Sequence, residues 1–286
     1  MNIRKAVIAV AGSGTRLLPA TKAQPKEMLP IVDKPIIQYL VEELADAGVE
    51  DVVMVTRWDK KPLEDHFDRS AELEQSLEKA GKASYLSMVQ KISGLANFIY
   101  VRQKGPYGNG TPILSAASVV GDDPFVFAFG DDLVKSKVSF TKQLVNEFEK
   151  HHCPIIGVQK VPRSMVDRYG IVRLKKGTHE IEDIIEKPNV SEAPSQLAQF
   201  GRMILTHDIV RILRDTPLGK GGELWITDAI RTYVHQGGTV RVKEIDNGEW
   251  FTTGDPLNYL RATVEYALER KDIGREFKKY LATRLK

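Results

Sequence analysis

Short apolar runs of strand length alternate with stretches of helical spacing through the first half of this chain. Residues 3–10 (IRKAVIAV), 51–56 (DVVMVT), 98–101 and 125–129 (FVFAF) are β-branched or aromatic and read as strands, the first and last of them buried. Between the first two, residues 35–48 put Ile37, Leu40, Val41 and Leu44 on one helical face, with Pro35 at the start and Gly48 as the stop. The order strand, helix, strand predicts a right-handed parallel crossover. Helices over 113–120 and 140–151 and a strand over 154–161 complete the parallel part. Residues 60–90 are charged and helical in period, a solvated packing arm that can also carry a subunit contact.

Beyond residue 161 the pattern shortens. Strands over 170–174, 181–185 and 200–205, with a helix over 223–235, predict a second, more antiparallel lobe, and strands over 239–245 and 249–252 return toward the core. Residues 255–286 form two amphipathic helices whose stripe of Val264, Leu268, Phe277 and Leu281 suits packing on the same chain or self-association as a dimer or tetramer. The fold class expected is α/β: a Rossmann-like, mostly parallel central sheet flanked by helices, a smaller antiparallel lobe and C-terminal helices, in one domain spanning 1–286.

Composition narrows the setting. A chain of 286 residues, 42% hydrophobic and 28% charged, can bury a large core. The single Cys153 excludes an intramolecular disulfide and a cysteine-built zinc site, and no charged and then apolar leader precedes the first strand, so a reducing cytoplasm is expected. No apolar run approaches a membrane span, and a net charge of +3 spread over 41 basic and 38 acidic residues gives no concentrated basic footprint. Neither a membrane nor a nucleic acid is an expected partner.

The candidate chemistry begins where the first strand ends. Ala11-Gly12-Ser13-Gly14-Thr15 follows it directly, at the carboxyl end of a strand, where open α/β sheets bind ligands. Gly12 and Gly14 can take positive φ and bring main-chain N–H groups against phosphate oxygens. Leu17 stands where a G-x-G-x-x-G fingerprint needs its third glycine, and the chain contains no G-x-x-x-x-G-K-[ST] run. The loop is therefore neither a dinucleotide fingerprint nor a Walker motif. Prolines 19, 25 and 30 discourage a helix between Arg16 and Lys26, so the loop can hold a planar guanidinium and a compact ammonium over one anion.

Carboxylates supply a second signal. Asp131 and Asp132 follow FVFAF and would sit beside the first glycine loop in a parallel sheet; Gly-Asp-Asp is equally good turn chemistry. Magnesium needs few hard oxygen ligands when phosphates and waters fill its remaining positions. Gln103 opens a second glycine loop, RQKGPYGNG, and its carboxamide can donate and accept at once. Glu186-Lys187-Pro188 ends a strand, where neighbouring side chains would ordinarily point to opposite faces. Glu223, Thr227 and Asp228 read as helix caps and packing, Trp225 and Trp250 as core or rim aromatics. The six histidines show no ligand spacing, and no nucleophile elbow accompanies them.

The run GTRLLPATKAQPKEMLPIVDKPIIQYLVEEL closely resembles the bacterial UTP:glucose-1-phosphate uridylyltransferases, and the likeness continues in order through YVRQKGPYGNG, YGIV, IIEKP, GRMILT, GGELWITDAI and EYALERKDIGREF. The resemblance implies a nucleotide-binding half over 1–160, a sugar-binding half over 161–254, and C-terminal helices over 255–286. Arg16 and the loop Ala11-Gly12-Ser13-Gly14-Thr15 would hold the β and γ phosphates, with Lys26 at the reacting phosphate and Asp131 carrying Mg2+ beside Asp132. Gln103 would read the base, Gly108 leave room for it, and Glu27 support the nucleotide side. Glu186 would hold sugar hydroxyls, Lys187 phosphate, and Gly170 would lie along the sugar. The reaction implied joins UTP and glucose 1-phosphate into UDP-glucose and pyrophosphate.

Departures from the family pattern keep two other readings open: a sister enzyme using dTTP or another sugar 1-phosphate, and a regulatory sugar-nucleotide-binding homologue with little turnover. Ser13, Thr111-Pro112, Gly130 and Trp225 differ from the family. Thr252 stands where related sugar nucleotidyltransferases have a metal-binding aspartate, and Asp132 or Asp255 is expected to compensate for it.

Overall fold

The structure, a computed structural model, describes residues 3–284; the first and last two residues of the expected domain lie outside the described residues. Strand β1 (Lys5–Ala9) leads through a long loop to the short strands β2 (Pro30–Ile31) and β3 (Lys34–Pro35), helix α1 (Ile36–Asp46) and β4 (Asp51–Thr56). Helices α2 (Lys61–Phe67), α3 (Ala71–Lys79) and α4 (Ala83–Ser93) precede β5 (Asn97–Arg102), α5 (Thr111–Val120), β6 (Phe125–Phe129), β7 (Asp132–Ser136), α6 (Phe140–His151) and β8 (Ile155–Lys160). The second half holds β9 (Gly170–Leu174), β10 (Ile181–Glu186), β11 (Leu197–Leu205), α7 (His207–Asp215) and α8 (Ile226–His235). It closes with β12 (Arg241–Glu244), β13 (Gly248–Thr252), α9 (Pro256–Glu269) and α10 (Gly274–Arg284).

Strands β6, β1, β4 and β5 lie side by side in parallel, with Val7 opposite Val53 and Phe127. Their runs are apolar throughout because alternate residues feed two cores, one on each face of the sheet. Val7, Val53, Phe125 and Phe127 pack with Ile113 of α5, Leu213 of α7 and Ile230 of α8. Ala6, Ile8, Met54 and Val126 pack with Leu40 of α1, Phe67 of α2 and Leu144 of α6.

The parallel part ends sooner than the pattern predicts. β8 does not join β6; β11, which runs antiparallel to both, lies between them, and β12 extends the sheet beyond β8. At its amino end β11 also pairs with β9, from which the hairpin to β10 branches. A strand whose residues 198–205 are all buried, as those of β11 are, belongs inside a sheet rather than on a separate lobe. Residues 249–252 return as expected but form a two-stranded ribbon with β7, whose Asp132 and Lys135 hide its strand character in the sequence. The arm over 60–90 is three helices. Leu63 and Phe67 of α2 are buried, Phe67 stacking 4.5 Å from Phe98, whereas α4 leaves Tyr85 and Met88 exposed. Helix α7 forms over a stretch to which the pattern reading assigns no element. The stripe on the C-terminal helices is half-buried, with α9 against α10 and β13.

One buried cation fastens the two halves. Arg202 of β11 is fully buried and donates to both oxygens of Glu43 on α1, at 3.2 and 3.1 Å, and to the carbonyl of Asp132 at 3.2 Å. Glu43 also accepts from the backbone N–H and hydroxyl of Thr141 at the start of α6, at 2.9 and 2.6 Å. Asp132 accepts from the Gly201 N–H at 2.8 Å. The turn between β6 and β7 is thus held from β11 on its side chain and on its main chain.

Arg202→Leu, which leaves the Glu43 carboxylate without a counter-charge and with only its Thr141 donors, is expected to lower the unfolding free energy by about 3–5 kcal/mol in urea denaturation; a loss below about 1 kcal/mol would show that the carboxylate finds another partner.

Candidate active site

The loops at the carboxyl ends of β1, β5 and β6 open into a cleft of about 430 Å³ whose far wall comes from the second half of the chain. Ala11, Gly12, Ser13, Arg16 and Lys26 line it from the first loop, Gln103 and Gly108 from the second, and Asp131 and Asp132 from the β6–β7 turn. Gly170, Glu186 and Lys187 face them, and Thr252 closes one end. Three residues singled out from the sequence, Gly14, Thr15 and Glu27, do not line the cleft.

The first loop reaches its shape by local chemistry. It runs as three 3-10 turns, Thr15–Leu17, Ala20–Lys22 and Lys26–Met28, and the prolines keep them from merging into a helix. Gly14 takes a left-handed φ of 66°, and its carbonyl accepts from the Thr21 hydroxyl at 2.8 Å, which folds the loop back on itself. Lys26 thereby returns to Gly12, where an added Cβ would lie 3.6 Å from the ammonium. Glu27 is buried beneath the loop, paired at 2.9 Å with the equally buried Lys60. Burial pushes the Glu27 carboxyl up, opposed by Lys60 and Lys26. It lies outside the lining of the cleft.

Across the cleft the Lys26 ammonium lies 2.5 Å from Asp131. Burial disfavours both charges, yet each stabilises the other: Lys26 titrates above the usual lysine range through Asp131 and Glu27, and Lys26 and Arg16 hold the Asp131 carboxyl below its own range. The Asp131 main chain is fixed by Thr253, whose N–H and hydroxyl both donate to its carbonyl at 2.8 Å. Gly254 lies against the carboxylate, for an added Cβ would stand 2.9 Å from Asp131 Oδ2 and 3.6 Å from the Arg16 guanidinium.

Asp132 and Asp255, the two carboxylates weighed as substitutes for an aspartate at 252, both have partners within the protein. Asp132 is committed to the Gly201 N–H and is pushed up to about 6 by burial and by Asp131. Asp255 caps α9, accepting from the N–H and the carboxamide of Asn258 at 3.1 and 2.7 Å. Among the described residues no three His, Cys, Asp or Glu side chains form a metal-binding group. The Asp131 carboxylate, with Asp132 beside it in the same turn and the Thr252 hydroxyl nearby, suits a hard ion whose remaining ligands are phosphate and water.

The opposite wall is built around Glu186 and Lys187. Lys187 has a left-handed φ of 43°, which swings its side chain back so that the ammonium sits 3.8 Å from the Glu186 carboxylate instead of on the opposite face. The same ammonium lies 3.9 Å above the Trp225 ring. The Trp225 indole N–H donates to the Lys220 carbonyl at 2.9 Å, and the Lys220 ammonium donates to the Lys187 carbonyl at 2.5 Å, which closes a ring of contacts around Lys187. Glu186 accepts from the Thr227 hydroxyl at 2.7 Å, and burial raises its carboxyl against the opposing effect of that bond and of Lys187. Trp225 and Thr227 are thus part of the site, although the sequence reads them as packing. Gly170 lies bare beside them; an added Cβ would be 3.1 Å from the Thr227 hydroxyl and 3.3 Å from Glu186.

The glycine at 108 makes room for protein as well. With φ at 121°, an added Cβ would stand 2.2 Å from the Leu224 carbonyl, because the second loop is clasped to residues 224–226. Leu224 N–H donates to Tyr107, Gly110 N–H to Leu224 and Ile226 N–H to the Asn109 side chain, at 2.8, 2.9 and 2.9 Å. The sequence reading also misses Tyr169, Gln199 and Phe200, which line the wall. Their residue types are ordinary for buried strands, and only the fork in the sheet turns them toward the cleft. Trp250, read as a core or rim aromatic, lines it too, stacked 5.2 Å from Phe200.

A family model for nucleotidyl transferases matches residues 5–269. The chain is 44% identical over 275 residues to a UTP–glucose-1-phosphate uridylyltransferase of Bacillus subtilis (strain 168), covering 95% of this chain and 93% of that protein. A crystal structure of a UDP-glucose pyrophosphorylase complexed with UDP-glucose superposes with a TM-score of 0.84 at 40% identity, covering 94% of this chain and 100% of the other. A UTP-bound enzyme of the same kind from Acinetobacter baumannii superposes with a TM-score of 0.89 at 38% identity, covering 98% of this chain and 99% of the other. A cleft with basic loops on one wall and a carboxylate–lysine pair on the other, carried on this sheet, thus coincides with likeness along nearly the whole length: the chain belongs to the nucleotidyl transferase family, among its UTP–glucose-1-phosphate uridylyltransferases.

Proposed function

We propose that this chain couples UTP to glucose 1-phosphate, giving UDP-glucose and pyrophosphate, and that the residues just described carry the reaction. The observation that supports it best is the convergence of Arg16, Lys26, Asp131 and Lys187 on one cleft. A phosphate monoester has a second pKa of about 6, so the sugar phosphate arrives largely dianionic and needs no general base. The difficulty is bringing two polyanions together in line. Arg16 and the main chain of residues 11–14 bind the outer phosphates, Lys187 holds the sugar phosphate, and Lys26 sits where charge builds on the α-phosphorus. The sugar phosphate oxygen forms a bond to that phosphorus as the bond to the bridging oxygen breaks, and pyrophosphate leaves with the electron pair. Bound at Asp131 among the phosphates, Mg2+ would supply further neutralisation of the reacting anions. Gln103 takes the uracil edge, and Glu186, steadied by Thr227, takes sugar hydroxyls.

The proposal extends to a cytoplasmic location, which suits the single half-buried Cys153, and to self-association through the C-terminal segment, where Leu257, Leu260 and Tyr280 are more than half exposed.

Lys26→Ala and Asp131→Ala are each expected to cut pyrophosphate release at least about 100-fold with an unchanged circular dichroism spectrum; near-native rates in either would refute the assignment. Chelation by EDTA is expected to stop turnover and added Mg2+ to restore it, with full activity in EDTA as the contrary result. Trp225→Ala is expected to raise KM for glucose 1-phosphate about 3- to 10-fold through loss of the ring beneath Lys187 while leaving KM for UTP unchanged. Sedimentation equilibrium at the mass of one 32.0 kDa chain would exclude self-association.

A further inference from the structure

Gln199 has no place in the chemistry above, yet it lines the cleft. It is 5% exposed, and its Oε1 has no hydrogen-bond partner among the described residues. A buried amide oxygen without a partner is costly, and a carboxamide left unpaired next to a ligand cleft can turn to take a partner that the ligand brings.

The sheet register says where that partner lies. Glu186 of β10 pairs with Gly170 of β9, and Ala198 of β11 pairs with Ile171 of β9. Gln199 is the next residue of β11 past that last pair, level with Gly170 where β9 and β11 part, and Glu186, Gly170 and Gln199 all line the cleft. Residues in register project to the same face of a sheet, and strands lie about 4.8 Å apart, so Glu186 and Gln199 stand at least about 9–10 Å apart across a residue with no side chain. That is a flat floor with a hydrogen-bonding group on each side, open to one hexose ring. Glu186 carries the charge and faces Lys187. Gln199 is neutral and can both donate and accept, so it takes a hydroxyl in either orientation without adding a second buried charge.

We propose that Gln199 is a sugar-specificity residue, whose carboxamide bonds a ring hydroxyl on the edge of the hexose opposite the edge held by Glu186. This rests on the function proposed above and refines the substrate class to hexose 1-phosphates that carry a free hydroxyl on both edges. A site built to bond a hydroxyl rejects the analogue that lacks it, because the buried group is then left unpaired.

The test is a double-mutant cycle between protein and substrate. kcat/KM is measured for the native chain, Gln199→Leu and Gln199→Met, using a panel of hexose 1-phosphates and the forms lacking one hydroxyl at a time. The cycle is run on whichever hexose the native chain turns over fastest, so a preferred sugar other than glucose corrects the proposed function while the role of Gln199 is still decided. The native chain is expected to lose about 10- to 100-fold against one particular deoxy form. Both variants should lose as much with the complete sugar, lose nothing further with that deoxy form, and keep the native KM for UTP. Discrimination in both variants equal to the native chain's against every deoxy form would overturn the proposal. So would an equal loss on the complete sugar and on all deoxy forms, which marks packing alone. The Met variant retains the length of the side chain and guards against a Leu variant that fails to fold; no turnover of any hexose 1-phosphate would overturn both readings.

Discussion

A guanidinium buried where the sheet changes character is the constraint on which the remaining geometry depends. Arg202 lies on β11, the strand that ends the parallel run, and its partners are a helix carboxylate and the main chain of the β6–β7 turn. A charge in that position is tolerable only when fully paired. The pairing fixes how β11, α1 and the turn meet, and with them the height at which Asp131 stands. Asp132, bonded to the neighbouring Gly201, adds a second tie between the same elements. The adjacent aspartates therefore divide the work. Asp132 secures the turn through Gly201, and Asp131 carries its charge into the cleft against Lys26.

The second half of the chain contributes to the site through backbone conformation as much as through side-chain type. An alternating strand would send Glu186 and Lys187 to opposite faces. The left-handed backbone at Lys187 cancels that alternation, and the contacts with Lys220 and Trp225 retain it. Backbone strain of this kind is kept where surrounding contacts over-determine it. The clasp between the loop after β5 and residues 224–226 does the corresponding task for Gln103, since it joins the loop that carries it to the segment that precedes α8.

Much of this was legible in the sequence, for identifiable reasons. Runs such as IRKAVIAV and FVFAF are buried on both faces and announce themselves, and the first glycine loop follows one of them without a linker. The proline spacing predicts a loop without a continuous helix between Arg16 and Lys26; three separate 3-10 turns form there, and both cations line the cleft. What the sequence hid is of another kind. The insertion of β11 between β6 and β8 depends on long-range pairing that no local pattern encodes, and β7 is masked by its own charges. The resemblance gives Glu27 a supporting place on the nucleotide side, but its buried pairing with Lys60, remote in sequence, is not visible in any local pattern. Trp225 and Thr227 carry the signatures of packing residues, and only the positions of Lys187 and Glu186 reveal what they touch.

The close contact between Lys26 and Asp131 gives the resting cleft a degree of self-neutralisation. With the ammonium already satisfied, the positive field offered to a stray inorganic anion is smaller than a count of its basic side chains suggests. A visitor must compete with the aspartate for the lysine, and a ligand that brings its own cation offers both members of the pair a new companion in one exchange.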